Sequence, residues 1–403
     1  MKDNLMIEVK TIKELCMVVA DCPHSTPKWT SSGKIVIRSN NIKNGKINFS
    51  SPSYTDEKNF EIRTKRAMPR GGDLIITREA PMGEVGMVPE NMECCLGQRM
   101  VLLRVNPEVC DNYYLLYCIQ SKYVQHQISW SEGTGTTVSN LRIPYLERIK
   151  IPYVSLENQK KISSILKYIE EKIINNEMIN KNLLEQALAI YKDWFCDYAL
   201  SDGILPENWK ITTIGAISSL VTRGIAPKYD DSSDQIVLNQ KCIRDHTIDI
   251  SLSRRHLPKK INEKWISKGD LLINSTGTGT LGRVAQVWFE ANDMTVDSHV
   301  TIVRPKDPIL QSYIGFWGLS HESEIEAQHT GSTGQTELPR DRVKAMELPL
   351  PDEDTLSKFN ELVIPMTSTV ISNQEENARL SQLRDALLPK LMSGELDVSG
   401  INI

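Results

Sequence analysis

The chain repeats itself, and a two-fold repeat leaves few folds open to it. Gly72-Asp73-Leu74-Ile75-Ile76 returns 197 residues later as Gly269-Asp270-Leu271-Leu272-Ile273, and Ile149-Lys150-Ile151-Pro152 returns at the same spacing as Met346-Glu347-Leu348-Pro349. Between these anchors, glycine- and threonine-rich turns at 133–137 and 331–335 correspond. Near the start of each half, Val36-Ile37-Arg38-Ser39-Asn40 matches Val237-Leu238-Asn239-Gln240-Lys241 at a spacing of 201, so the loops between anchors differ in length. A module of roughly 200 residues therefore occurs twice.

Each module has two parts. The first mixes short alternating apolar runs, such as Lys34 to Arg38, Leu74 to Thr77 and Val101 to Val105, which read as strands, with a helix over Asn112 to Gln127. The second is a long helix beginning near Ser155 in one half and near Asp352 in the other, both good N-caps. The helices carry an apolar seam at three- and four-residue spacing. Ile162, Leu166, Ile169, Ile173, Leu183, Ala187, Ile190 and Trp194 mark the first; Phe359, Val363, Met366, Val370, Leu380, Arg384, Leu387 and Leu391 mark the second. Two asparagine layers interrupt each, Asn176 and Asn180 in one, Asn373 and Asn377 in the other. A buried asparagine costs stability but fixes register and partner, so the pattern predicts that the helices pair antiparallel, Asn176 meeting Asn377 and Asn180 meeting Asn373. Packing of each helix on its own domain is the alternative. Pro365 predicts a kink near Glu361 to Pro365. The expected organisation is an α+β domain over 1–154, a helix over 155–200, a second α+β domain over 201–351, and a helix with its tail over 352–403.

Charge and motifs narrow the function. The net charge is −4, but residues 1–154 hold 20 Lys and Arg against 16 Asp and Glu, whereas 352–403 hold 4 against 9. A nucleic-acid surface would have to be a local patch. Eight cysteines without C-x-x-C spacing, and histidines without H-x-x-x-H spacing, point to reduced thiols and no metal centre. No stretch approaches the roughly 18 apolar residues of a membrane span, and the N-terminus has no apolar leader, so a cytoplasmic protein is expected. Amino-methyl transfer needs an Asn/Asp-Pro-Pro-aromatic turn, but Asn106-Pro107 is followed by Glu108. The glycines at 277–282 are followed by Arg283-Val284 rather than Lys-Ser/Thr, so a turn suits them better than a phosphate loop.

Three stretches resemble a known family: LRDALLPKLMSGEL at 383–396, GSTGQTEL at 331–338, and LPENWK at 205–210. The chain is similar along its length to the DNA specificity subunit of Type I restriction-modification systems, although the first half lacks the PENW leader. The resemblance implies two target-recognition domains joined by two long antiparallel coiled-coil helices, reading a bipartite double-stranded DNA target. It implies docking of two copies of an adenine-N6 methyltransferase subunit and a restriction and translocation subunit. S-adenosylmethionine, ATP and Mg2+ would belong to those partners, and this chain would be non-catalytic with no cofactor, metal or membrane contact of its own. A self-contained DNA methyltransferase or nuclease, and a scaffold that binds no DNA, are the rival readings.

Major-groove reading needs forked donors and amides. Arg38, Asn40 and Asn41 at a strand end, their counterparts Asn239, Gln240 and Lys241, and the matched pair Arg78 and Asn274 are the candidate base readers. The basic runs Arg63, Lys65, Arg66, Arg70 and Arg254, Arg255, Lys259, Lys260 are the candidate phosphate contacts. The bland alternative for each is a solvated polar turn or a charged face.

Overall fold

A computed structural model describes residues 8–130, 140–257, 264–331 and 336–401. The chain forms two compact units, one made of Met1–Ile174 with Asn377–Ile403, the other of Asn175–Glu376.

In the first unit an antiparallel sheet runs in the order Cys16–Asp21, Met100–Val105, Leu74–Thr77, Val85–Met87. A second sheet runs Cys94–Leu96, Lys34–Ile37, Ser53–Thr55, Trp29–Thr30, its first pair parallel. Leu74 and Ile76 face a core with Val101, Leu103, Leu115 and Ile119, while Ile75 faces Ile37, Leu96, Met100 and Leu102. Burial of both faces explains why this central strand is an unbroken apolar run rather than an alternating one. Strand Val9–Thr11 pairs with Lys150–Pro152 and brings the chain's start beside the segment that leads into the first long helix.

The second unit repeats the plan. Its antiparallel sheet runs Ser218–Arg223, Val300–Pro305, Leu271–Asn274, Val284–Gln286. Its smaller sheet runs Arg254–Arg255, Ile236–Leu238, Met294–Val296, the last pair again parallel. Leu271 and Ile273 face one core, Leu272 the other.

The repeated Gly-Asp has a structural reason. Gly72 and Gly269 have φ of 83° and 92°, the left-handed region where glycine meets no Cβ penalty. The buried carboxylate that follows accepts two bonds from an arginine on the neighbouring strand. Arg104 Nε and Nη2 reach Asp73 at 2.9 and 2.7 Å, and Arg304 Nε and Nη2 reach Asp270 at 2.8 and 2.7 Å. Each carboxylate also closes its own turn, accepting from Arg70 N at 2.9 Å or Ser267 N at 2.8 Å. Burial pushes the Asp270 carboxyl up, and Arg304 opposes the shift.

The long helices are Leu156–Phe195 and Glu353–Met392. Ser155 Oγ accepts from Asn158 N at 3.3 Å, and Asp352 Oδ1 from Thr355 N at 2.9 Å, so both predicted caps form. In the first unit Arg384 lies 4.0 Å from Glu170, and Asn377 donates to Ile173 O at 3.4 Å. In the second, Asn373 donates to Asn180 Oδ1 at 2.8 Å and Asn176 to Glu376 Oε2 at 2.7 Å. In both, residue numbers rise along one helix as they fall along the other, so the segments pair antiparallel. The expected Asn180–Asn373 contact is present. Helix continues through exposed Pro365, with the Thr367 hydroxyl donating to Val363 O at 3.2 Å and to Ile364 O at 3.1 Å. The fold is α+β, a duplicated domain with two long antiparallel helices.

Candidate nucleic-acid interface

The turn after the strand Lys34–Ile37 is a single 3-10 turn, Ser39–Asn41, and the second unit repeats it as Gln240–Cys242. An asparagine side chain holds each. Asn41 Oδ1 accepts from Arg38 N at 2.9 Å and its amide donates to Asn48 O at 3.1 Å; Asn239 Oδ1 accepts from Lys241 N at 2.8 Å and its amide donates to Leu252 O at 3.1 Å. These two amides build the turn, and both residues are half-buried. What the turn presents outward differs between the units. Arg38 and Asn40 are exposed in one, Lys241 in the other, and none of these side chains has a hydrogen bond or ion pair among the described residues. Gln240 is half-buried and accepts from the Thr276 hydroxyl at 3.4 Å.

Arg78 and Asn274 are likewise committed to the fold. Arg78 donates to Leu141 O at 2.9 Å, to both Asp21 oxygens at 3.0 and 3.2 Å, and to Asn140 Oδ1 at 3.2 Å. Asn274 is buried and donates to Gln240 O at 3.0 Å. The Arg78 fork is engaged inside the protein, and Asn274 is buried, so neither is exposed to a base edge.

Among the expected phosphate contacts, Arg63 is the clearest correction. It is 4% exposed, and its guanidinium donates to Leu96 O, Ser25 O and Pro23 O at 2.6, 2.9 and 3.2 Å. Burial lowers its pKa, and it ties its helix to the end of the strand Cys94–Leu96 and to the loop that holds Pro23 and Ser25. Lys65, Arg66 and Arg70 are exposed, Arg66 donating to Asp21 O at 3.2 Å. Arg255 is exposed and donates to Ser233 O at 2.6 Å, while Arg254 lies over the Tyr229 ring. Lys259, Lys260, the turn at 133–137 and most of that at 331–335 lie outside the described residues.

No group of three or more His, Cys, Asp or Glu placed to hold a metal is found among the described residues. All eight cysteines are free, and burial pushes the Cys94 thiol up to about 12. No helix among the described residues is long and apolar enough to cross a membrane.

Comparison with known proteins bears on this arrangement. The Type I restriction modification DNA specificity domain matches residues 6–186. The specificity subunit of the MjaIX Type I restriction enzyme from Methanocaldococcus jannaschii is 25% identical over 398 residues, covering 94% of this chain and 87% of that one. The chain is thus similar along most of its length to Type I restriction-modification specificity subunits. The specificity subunit of the HindI enzyme from Haemophilus influenzae is 20% identical, with 90% of this chain and 94% of that one covered. The crystal structure of the Type I restriction-modification S subunit from M. genitalium shares the fold, with a TM-score of 0.60, 18% identity, and 97% and 98% of the two chains covered.

One feature of this chain escapes reading by offset. Leu141 and Leu338 lie 197 residues apart, and each carbonyl is held by an arginine, but from different strands. Arg78, beyond the strand Leu74–Thr77, serves the first; Arg223, at the end of Ser218–Arg223, serves the second at 2.9 Å and pairs with Glu337 at 2.7 Å. The contact is repeated and the residue is not, so no sequence match could reveal it.

Proposed function

We propose that this chain reads DNA for a Type I restriction-modification complex, each unit recognising one part of a bipartite double-stranded target while partner subunits do the chemistry. The contrast inside the repeat carries this reading. Sheet order, register and the Gly-Asp clamp are kept, yet Arg38 and Asn40 stand where the second unit has Asn239 and Lys241. One scaffold bearing two donor sets suits two different half-sites. The partners implied are two copies of an adenine-N6 methyltransferase using S-adenosylmethionine and an ATP- and Mg2+-dependent restriction and translocation subunit, all cytoplasmic. The chain itself is non-catalytic on this reading, and the naming of its relatives as specificity subunits supports it.

The test is single-molecule mapping of methylated adenines in cells carrying the methyltransferase subunit, with and without this chain. A bipartite motif should appear only with the chain, and exchange of residues 1–154 for those of a relative should change one half of it. An unchanged methylation pattern without the chain, or a change in both halves of the motif, refutes the proposal.

A further inference from the structure

Each unit carries one arginine laid on an exposed aromatic ring. Trp29 and Tyr229 are 45% and 41% exposed, and they occupy the same place in the repeated sheet. Trp29 pairs with Thr55 and Tyr229 bridges to His256, antiparallel in both cases; Thr55 ends the strand beside Lys34–Ile37, and His256 follows the strand beside Ile236–Leu238. The Arg38 guanidinium carbon lies 5.4 Å from the Trp29 ring centre, and that of Arg254 lies 3.5 Å from the Tyr229 ring centre. The other cation–ring contacts among the described residues are made by lysines.

The two arginines are not counterparts in sequence. Val36 pairs with Ser53 in the first unit, and Val237 pairs with Arg254 in the second, so Arg254 stands where the first unit has Ser53. Arg38 stands where the second unit has Asn239. The guanidinium comes from a different strand in each unit and ends on the same aromatic seat.

Neither guanidinium has a hydrogen bond or a carboxylate partner among the described residues. Arg63, Arg78, Arg104, Arg223, Arg255 and Arg304 all do. A guanidinium stacked on a ring keeps its in-plane N–H donors free, and the ring fixes the plane in which the fork opens. Such a fork matches the O6 and N7 acceptors of guanine in the major groove. The same fork also fits a phosphate, and the two acceptors differ in that only the guanine contact carries sequence discrimination.

Resting on the proposed function, we infer that Arg38 on Trp29 and Arg254 on Tyr229 are the guanine-reading elements of the two half-sites, with Trp29 and Tyr229 as positioning residues. Arg254 thereby moves from the phosphate contacts to the base readers. Exposed Asn40, two residues from Arg38, is placed to reach a neighbouring base of the same half-site.

The test uses the full chain assembled with its methyltransferase subunit. Arg38→Lys keeps the charge and removes the fork; discrimination at one guanine of one half-site should fall roughly ten- to a hundred-fold, with the salt dependence of binding unchanged. Arg254→Lys should do the same in the other half-site only. Trp29→Ala should reproduce the loss and Trp29→Phe should restore it, which a merely structural role for the ring would not predict. In every variant the untouched half-site reports that the chain is folded. An unaltered motif with uniformly weaker binding identifies a phosphate contact and overturns the inference; so does a variant indistinguishable from the parent. If the unaltered chain directs no motif, the proposed function itself has failed.

Discussion

Replacing Asp352 by alanine should destabilise the chain more than removing the matching cap at Ser155, because Asp352 joins two elements while Ser155 only starts one. One Asp352 oxygen accepts from Thr355 N at 2.9 Å and caps the second long helix; the other accepts from Trp209 Nε1 at 3.0 Å and Asn208 Nδ2 at 3.2 Å. Losing the cap costs about 1 kcal/mol. Leaving the Trp209 indole N–H without its acceptor, in a side chain 7% exposed, adds about 1 to 2 kcal/mol. The total for Asp352→Ala is about 2 to 3 kcal/mol, against about 1 kcal/mol or less for Ser155→Ala, whose single cap bond is 3.3 Å long. The Thr355 N–H first, with the Trp209 indole and the Thr355 and Asn208 side chains, holds the Asp352 carboxyl down at about 2 against burial. A carboxyl depressed in the folded state stabilises it above the unfolded pKa, and that stability is lost as pH falls through the folded value. The difference between the parent and Asp352→Ala should therefore be full at neutral pH and shrink between about pH 4 and pH 2. Urea denaturation followed by tryptophan fluorescence measures both quantities. Equal costs for the two alanine variants, or an Asp352 difference that persists undiminished at pH 2, would refute the reasoning.

Asn180→Leu and Asn373→Leu should each destabilise by about 1 to 2 kcal/mol by stranding the partner amide, and the double variant should cost less than the sum; additive effects in a urea double-mutant cycle would remove the layer as a coupled unit. Arg63→Lys should lower thermal stability and leave the salt dependence of DNA binding untouched, since the arginine is spent on three carbonyls. Exposed Arg70, changed to alanine, should flatten the salt slope by about one unit with the motif unchanged; a flattened slope for Arg63→Lys instead would reverse the two roles.

The leader LPENWK shows how much a motif can say without its partner. Its presence before the second module, and its absence before the first, is visible in the chain, but its purpose is not. Trp209 and Asn208 hold the Asp352 carboxylate more than 140 residues away, whereas Ser155 caps its helix with no such help. The Gly-Asp anchors behave alike. They mark the repeat in the sequence, and the arginines they bind, Arg104 and Arg304, come into view only once the neighbouring strand is in register.

By itself the sequence determined the duplication, the two long helices, both caps and the apolar seam with its asparagines. Each rests on residues within a turn or two of one another, so spacing alone expresses it. Tertiary structure decided which polar side chains remain free. Arg63, Arg78, Asn41, Asn239 and Asn274 looked as available as Arg38, Asn40 or Lys241, yet strand pairing and loop packing bring acceptors or donors to the first group and leave the second exposed. Only folding delivers Arg38 and Arg254, from different strands, to one aromatic seat in each unit. A side chain's freedom depends on what lies within about 3 Å of it, and residues distant in sequence supply those neighbours.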